Sequence, residues 1–161
     1  MKEKLVLILK KFAKLLKKLI KKPITKTIAT GAIAVTIAIL ILPIELALVS
    51  LIVLFGHEFA HYVSAWNLGA EPEFPFFIPL GIILIGITRV KNLNKKDIPT
   101  VALSGPIMGM YLALIGIALG FAISSPILMM GGAGSFVFEL FAATLGSDGS
   151  RARKWRKLNN I

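Results

Sequence analysis

The feature that most constrains this chain is the apolar run over residues 26–66, which passes through Pro43 and Glu45 almost without other charge. One helix of that length would measure about 60 Å, twice the hydrocarbon thickness of a bilayer. The run therefore predicts two helices, roughly 26–42 and 46–66, turning at 43–45. A third apolar span is expected over 98–123, ended by Ser124-Ser125-Pro126. A fourth covers 126–146, and its GGAG at 131–134 predicts a helix that starts late. Between the second and third spans, residues 67–75 are turn-rich. Residues 76–90 have the β-branched, Gly-punctuated look of strand or re-entrant backbone, and KNLNKKD follows as a polar loop. The fold class read from this pattern is an all-α integral membrane protein. It has about four transmembrane helices and one short strand-like or re-entrant segment.

Composition agrees with that reading. The chain is 56% hydrophobic with a mean hydropathy of +0.80, more apolar surface than a soluble domain of 161 residues could bury. Its formal net charge of +11 is gathered at 2–22, 89–96 and 151–157, flanking the spans. Such grouping predicts basic loops on the cytoplasmic side. Four spans put all three groups there, giving a multi-pass cell-membrane protein with cytoplasmic termini. With no organelle-targeting feature, a prokaryotic plasma membrane is the default. Nucleic-acid binding could use the charge but would not require the apolar runs, so no nucleic acid is expected. In residues 1–22, Leu5, Ile8, Leu9, Phe12, Leu15, Leu16 and Leu19 share one helical face, with lysines opposite. That split predicts an amphipathic helix lying among anionic lipid headgroups. Its long basic stretch, with no small-residue cleavage site after it, is unlike a cleaved signal peptide. The expected organisation is thus 1–22 interfacial helix, 26–150 membrane core and 151–161 basic cytoplasmic tail.

The chemistry is concentrated in a few residues. There is no cysteine, which excludes disulfides and thiolate catalysis and leaves histidine and carboxylates as metal ligands. The two histidines, His57 and His61, are four apart with Glu58 between them, so on a helix both imidazoles can reach one ion. Glu58 is turned about 100° from His57, within reach of a water on that ion without ligating it. Ionisable groups inside an apolar span are costly and normally functional. A catalytic zinc site wants a third protein ligand. Asp148, beside Gly149 at the end of the fourth span, is the best candidate, and mid-span Glu139 is the rival. On one regular helix these two, nine residues apart, would point to opposite sides and could not share an ion unless the helix breaks between them. Glu45, Glu71 and Glu73 read as solvated turn residues.

His57-Glu58-Phe59-Ala60-His61 closing an apolar span is followed by AWNLGAEP, PFFIPLGIILIGITRV, LSGP and a final Asp148-Gly149. This series, over roughly residues 44–150, resembles the site-2 proteases, which are intramembrane zinc metalloproteases. The resemblance implies one zinc per chain on His57, His61 and Asp148, with Glu58 as the catalytic residue. Ser104-Gly105-Pro106 match the family's small-Gly-Pro element. With Phe76, Phe77, Ile78 and Pro79 of the strand-like stretch, they are the candidates for substrate contact. Leu140 and Ala143 stand where the family usually carries an Asn and a Pro. The expected substrate is a membrane-anchored protein, cut within or near its transmembrane segment. Its unwound backbone would pair edge-on with residues 75–90. A non-catalytic zinc-binding scaffold and a small ion transporter are the alternative functions.

Overall fold

The computed structural model describes residues 23–80 and 83–159. The amphipathic helix expected over 1–22 lies outside the described residues. Five α-helices follow in order: α1 Pro23–Ile41, α2 Ile44–Asn67, α3 Ile98–Ala122, α4 Pro126–Thr144 and α5 Ser147–Asn159. Short strands β1 Glu71–Pro72, β2 Phe76–Leu80, β3 Ile83–Ile87 and β4 Val90–Lys91 lie between α2 and α3, with a 3-10 turn at Lys95–Asp97. Among the described residues, four helices are long and apolar enough to cross a membrane. Their starts and ends match the expected spans to within a few residues.

Proline and glycine set the boundaries. Pro43 has no N–H to continue α1 and leads directly into α2 from an extended conformation. At the end of α2, Gly69 takes φ +75°, and the Gly69 and Ala70 N–H groups donate to the Trp66 and Ala65 carbonyls. This left-handed stop is one that glycine adopts freely. The Ser125 hydroxyl caps α4 by accepting from the Leu128 N–H at 3.3 Å, with Pro126 in its first turn.

The expectation of a late start for α4 is corrected, because the helix runs unbroken from Pro126 through residues 131–134. Gly131 and Gly132 are buried. A side chain on Gly132 would run into the Ala113 carbonyl and Ile117 of α3, and one on Gly131 into Leu46 of α2. These glycines are where neighbouring helices approach, and the close packing offsets their poor helix propensity. Within the basic tail, residues 151–159 continue the helix that begins at Ser147.

The strand-like stretch forms a narrow antiparallel ribbon. β1 pairs with β4, and β2 with β3 in a register that sets Phe77 opposite Gly86. At its base Glu73 pairs with Lys91 at 2.8 Å, which holds the Glu73 carboxyl below its ordinary value. Glu73, expected to be a solvated turn residue, therefore has a cationic partner. β2 lies against α1, where the Phe77 N–H donates to the Thr30 hydroxyl at 3.1 Å. The Phe77 ring packs on Phe55 of α2 with centroids 4.4 Å apart. That leaves β3 on the side of α2 that carries Glu58.

Candidate metal centre

The i, i+4 spacing on α2 brings His57 and His61 to one face, and both are buried. Their Nε2 atoms lie 3.1 Å apart. Asp148 arrives from the first turn of α5, its Oδ2 3.3 Å from His57 Nε2 and 3.5 Å from His61 Nε2. Residues 140–148 reach this position because the chain breaks at Leu145–Gly146, where both N–H groups donate to the Phe141 carbonyl.

The other ring nitrogens are already committed. His61 Nδ1 is 2.7 Å from the Val101 carbonyl of α3, which can only accept, so Nδ1 carries the proton and donates. His57 Nδ1 is 2.7 Å from Glu139 Oε2 on α4, and donates to that carboxylate in the same way. Both Nε2 atoms and the Asp148 oxygen then converge on one point. Such a convergence is stabilised by a positive charge at its centre, a proton or a metal ion. The edges of the triangle, 3.1, 3.3 and 3.5 Å, also have the right size. A tetrahedral zinc with bonds of roughly 2.0–2.1 Å separates its ligands by about 3.3 Å. The donor set therefore fits zinc by chemistry and by dimension, and among the described residues it is the His/Asp/Glu group close enough to hold an ion.

Glu58 stays outside the donor cluster. It is buried, and its Oε2 accepts from the Thr88 hydroxyl at 2.7 Å. A side chain at Gly86 of β3 would collide with the Glu58 carboxyl. Thr88 and Gly86 thus hold the carboxylate from the ribbon side. Gly105 does the equivalent work on α3, where any side chain would strike His57 and His61, and Gly109 leaves the space that Glu139 fills. Ser104 donates to the Val101 carbonyl at 2.7 Å, and Pro106 is fully buried. Ser104 and Gly105 accordingly touch the back of the histidine pair. Of the β2 residues, Phe76 and Phe77 are buried and Ile78 is exposed, while the side chain of Pro79 is outside the described set.

Glu139 and Asp148 do not compete for one position. The helix break lets each reach His57, Asp148 at Nε2 and Glu139 at Nδ1. Thr88, the Val101 carbonyl and the orienting role of Glu139 were missed from sequence. The Gly105-x-x-x-Gly109 spacing is the signal that could have found the close approach, because it repeats on α3 the four-residue step of the histidines on α2. His57, Glu58, His61, Gly86, Thr88, Val101, Glu139 and Asp148 line one cavity of about 840 Å³ between α2, β3, α3, α4 and α5, whereas Phe76, Phe77, Ile78, Ser104, Gly105 and Pro106 do not.

Against known proteins, the chain is 40% identical over 78 residues to the "probable zinc metalloprotease EGY2, chloroplastic" of Arabidopsis thaliana, covering 46% of this chain and 14% of the relative. It is 35% identical over 79 residues to the protein of the same name from Oryza sativa subsp. indica, covering 47% and 14%. This chain resembles the site-2 protease family. The chain spans about one seventh of the length of these relatives. No protein-family model matches it, and no solved structure is a significant match.

Proposed function

We propose that the chain is an intramembrane zinc metalloprotease that hydrolyses a peptide bond within or near the transmembrane segment of a membrane-anchored protein. The observation that carries this reading is the zinc-sized triangle of His57, His61 and Asp148 with Glu58 buried beside it. The outward residues of the helices support a membrane setting: Ile28, Leu40, Phe121 and Met130 are each more than 65% exposed, a surface that suits hydrocarbon rather than water. The charge distribution supports a multi-pass arrangement in the cell membrane with both termini cytoplasmic.

Bound to the three side chains, zinc would supply an acidified water and a Lewis acid for the scissile carbonyl. Glu58 would take the proton from that water at its carboxylate and deliver it to the departing amine. Thr88, donating to Oε2, would keep the carboxylate turned toward the cavity for the first step. Glu139 and the Val101 carbonyl hold the two imidazoles in the tautomer that ligates. β3 pairs on one edge with β2 and has no other strand partner among the described residues, and its Ile85, Gly86 and Ile87 line the cavity. An unwound substrate could add to that free edge, which would satisfy its backbone in a water-poor site. Of the substrate contacts expected from sequence, Phe76, Phe77, Ile78, Ser104, Gly105 and Pro106 are not among the residues that line the cavity, and their part would be to support β3 and the histidine pair from behind.

The test is zinc content in detergent-purified protein, beside cleavage of a single-span reporter. One zinc per chain is expected in the wild type and in Glu58→Gln, with little in Asp148→Ala. Glu58→Gln should lower cleavage by roughly 10²–10⁴-fold. A wild type that takes up no zinc, or a Glu58→Gln protein that cleaves normally, would refute the proposal.

A further inference from the structure

The cavity has a rim that the chemistry above does not use. Arg151 and Trp155 line it from α5, four residues apart on one face, and Arg151 is exposed. Three carboxylates share the cavity, and each has a partner: Glu58 with Thr88, Glu139 with His57, and Asp148 with both histidines. Arg151 is the single cation among the lining residues described, and none of the ion pairs found among the described residues includes it. Its neighbour Arg153 is different, donating instead to the Thr144 carbonyl at the end of α4. Lys95 lies over the Trp155 ring at 6.0 Å, and the exposed Lys96 and Lys154 adjoin these residues in sequence, with Asp97 the acidic residue of the same turn. A chain leaving the reaction centre past α5 therefore meets a guanidinium that has no anionic partner among the described residues.

Resting on the protease reading above, we propose that Arg151 is a specificity-determining residue that selects membrane-anchored substrates with an acidic flank beside the scissile segment. Most membrane anchors carry Lys and Arg on their cytoplasmic flank. Such a flank would be repelled at this rim, whereas an Asp or Glu side chain would pair with Arg151. Selection thus has an attractive part and a repulsive part. A protease whose active site faces many anchors gains discrimination from the repulsive part in particular.

The test uses one single-span reporter in three versions, with Asp-Glu, Asn-Gln or Lys-Arg at the flank nearest the rim. Each is reconstituted with the zinc-loaded protein in phosphatidylcholine vesicles, so that lipid charge does not contribute. The acidic version should be cleaved with kcat/KM about fivefold above the basic one, the scale of a partly exposed ion pair. Arg151→Glu should reverse that order while retaining zinc, and Arg151→Gln should flatten it. The preference should also shrink as salt is raised. The same rank order and ratio in wild type and Arg151→Glu would overturn the proposal. Binding of the three reporters to Glu58→Gln protein is read in parallel and needs no turnover. Should the wild type cleave none of them, the protease reading fails by itself. Equal binding of all three flanks would then overturn the selectivity as well, and acidic-flank binding reversed by Arg151→Glu would uphold it.

Discussion

At the scale of single residues, the centre depends on where two protons sit. Each imidazole can ligate through Nε2 only while Nδ1 keeps its hydrogen, and that is decided by Glu139 for His57 and by the Val101 carbonyl for His61. Glu139→Gln leaves the shape almost unchanged but replaces an ionised acceptor with a neutral amide. Zinc affinity should fall by roughly 10–100-fold, measured by competition with a chromophoric chelator. An unchanged affinity would mean that His57 is oriented by packing alone. Thr88 makes a separable case, because it touches the base and not the ligands. Thr88→Val should leave zinc content intact and lower kcat by about tenfold or more, a hydrogen bond to a charged group being worth roughly 1.5–3 kcal/mol. Thr88→Ser keeps the hydroxyl and should recover most of the rate. A Thr88→Val protein as active as wild type would show that Glu58 is held without this donor.

At the scale of elements, close helix approach is what delivers these residues. α3 and α4 meet through Gly109, Ala113, Gly116 and Gly132, with Gly120 set against Met129. Gly132→Leu would force the helices apart at the Ala113 carbonyl. Overpacking of this kind costs typically 1–3 kcal/mol, so the midpoint of thermal unfolding in detergent should fall and zinc should bind less tightly. A variant with both properties unchanged would show that the α3–α4 contact can relax without moving Glu139. This packing also explains what could be read from sequence. The four apolar spans and the HEFAH pair were legible because helix period and bilayer thickness act locally along the chain. Residues 131–134 were misread because glycine propensity is local, whereas the reason for those glycines is the surface of another helix. Glu139 was weighed as a competing ligand because it lies mid-span, and one ideal helix would have kept it and Asp148 from sharing an ion. The break at Leu145–Gly146, closed by hydrogen bonds to Phe141, turns the two carboxylates into partners on opposite nitrogens of His57. The ribbon was partly legible. Its β-branched character showed in sequence, but the pairing of Phe77 with Gly86, which brings glycine against Glu58, depends on register.

At the scale of the whole molecule, one ion would connect nearly every helix of the bundle. The ligands come from α2 and α5, and their orienting partners from α3 and α4. α5 packs on α3 and α4 but is mostly exposed. It presents Gly149 and Ala152 to the interior, whereas Arg151, Arg153, Lys154, Arg156, Lys157 and Leu158 are all exposed. Without the ion, Asp148 would be tied to α2 only by a hydrogen bond from whichever imidazole carries a proton, a weaker link than a shared metal. Removing zinc should therefore loosen α5 first and leave α2 and α3, with their apolar contacts, nearly as protected as before. Hydrogen exchange on the detergent-purified protein before and after a zinc chelator measures this directly. Faster exchange is expected over residues 147–159, reversed when zinc is restored. The whole fold should also lose stability, since a ligand present at 1,000 times its Kd contributes about 4 kcal/mol. Asp148→Ala supplies the control: its α5 should exchange rapidly with or without zinc, because the link between metal and helix has been cut. Uniform loosening across all helices would instead show that the ion stabilises the bundle as one unit, with α5 held by its own packing on α3.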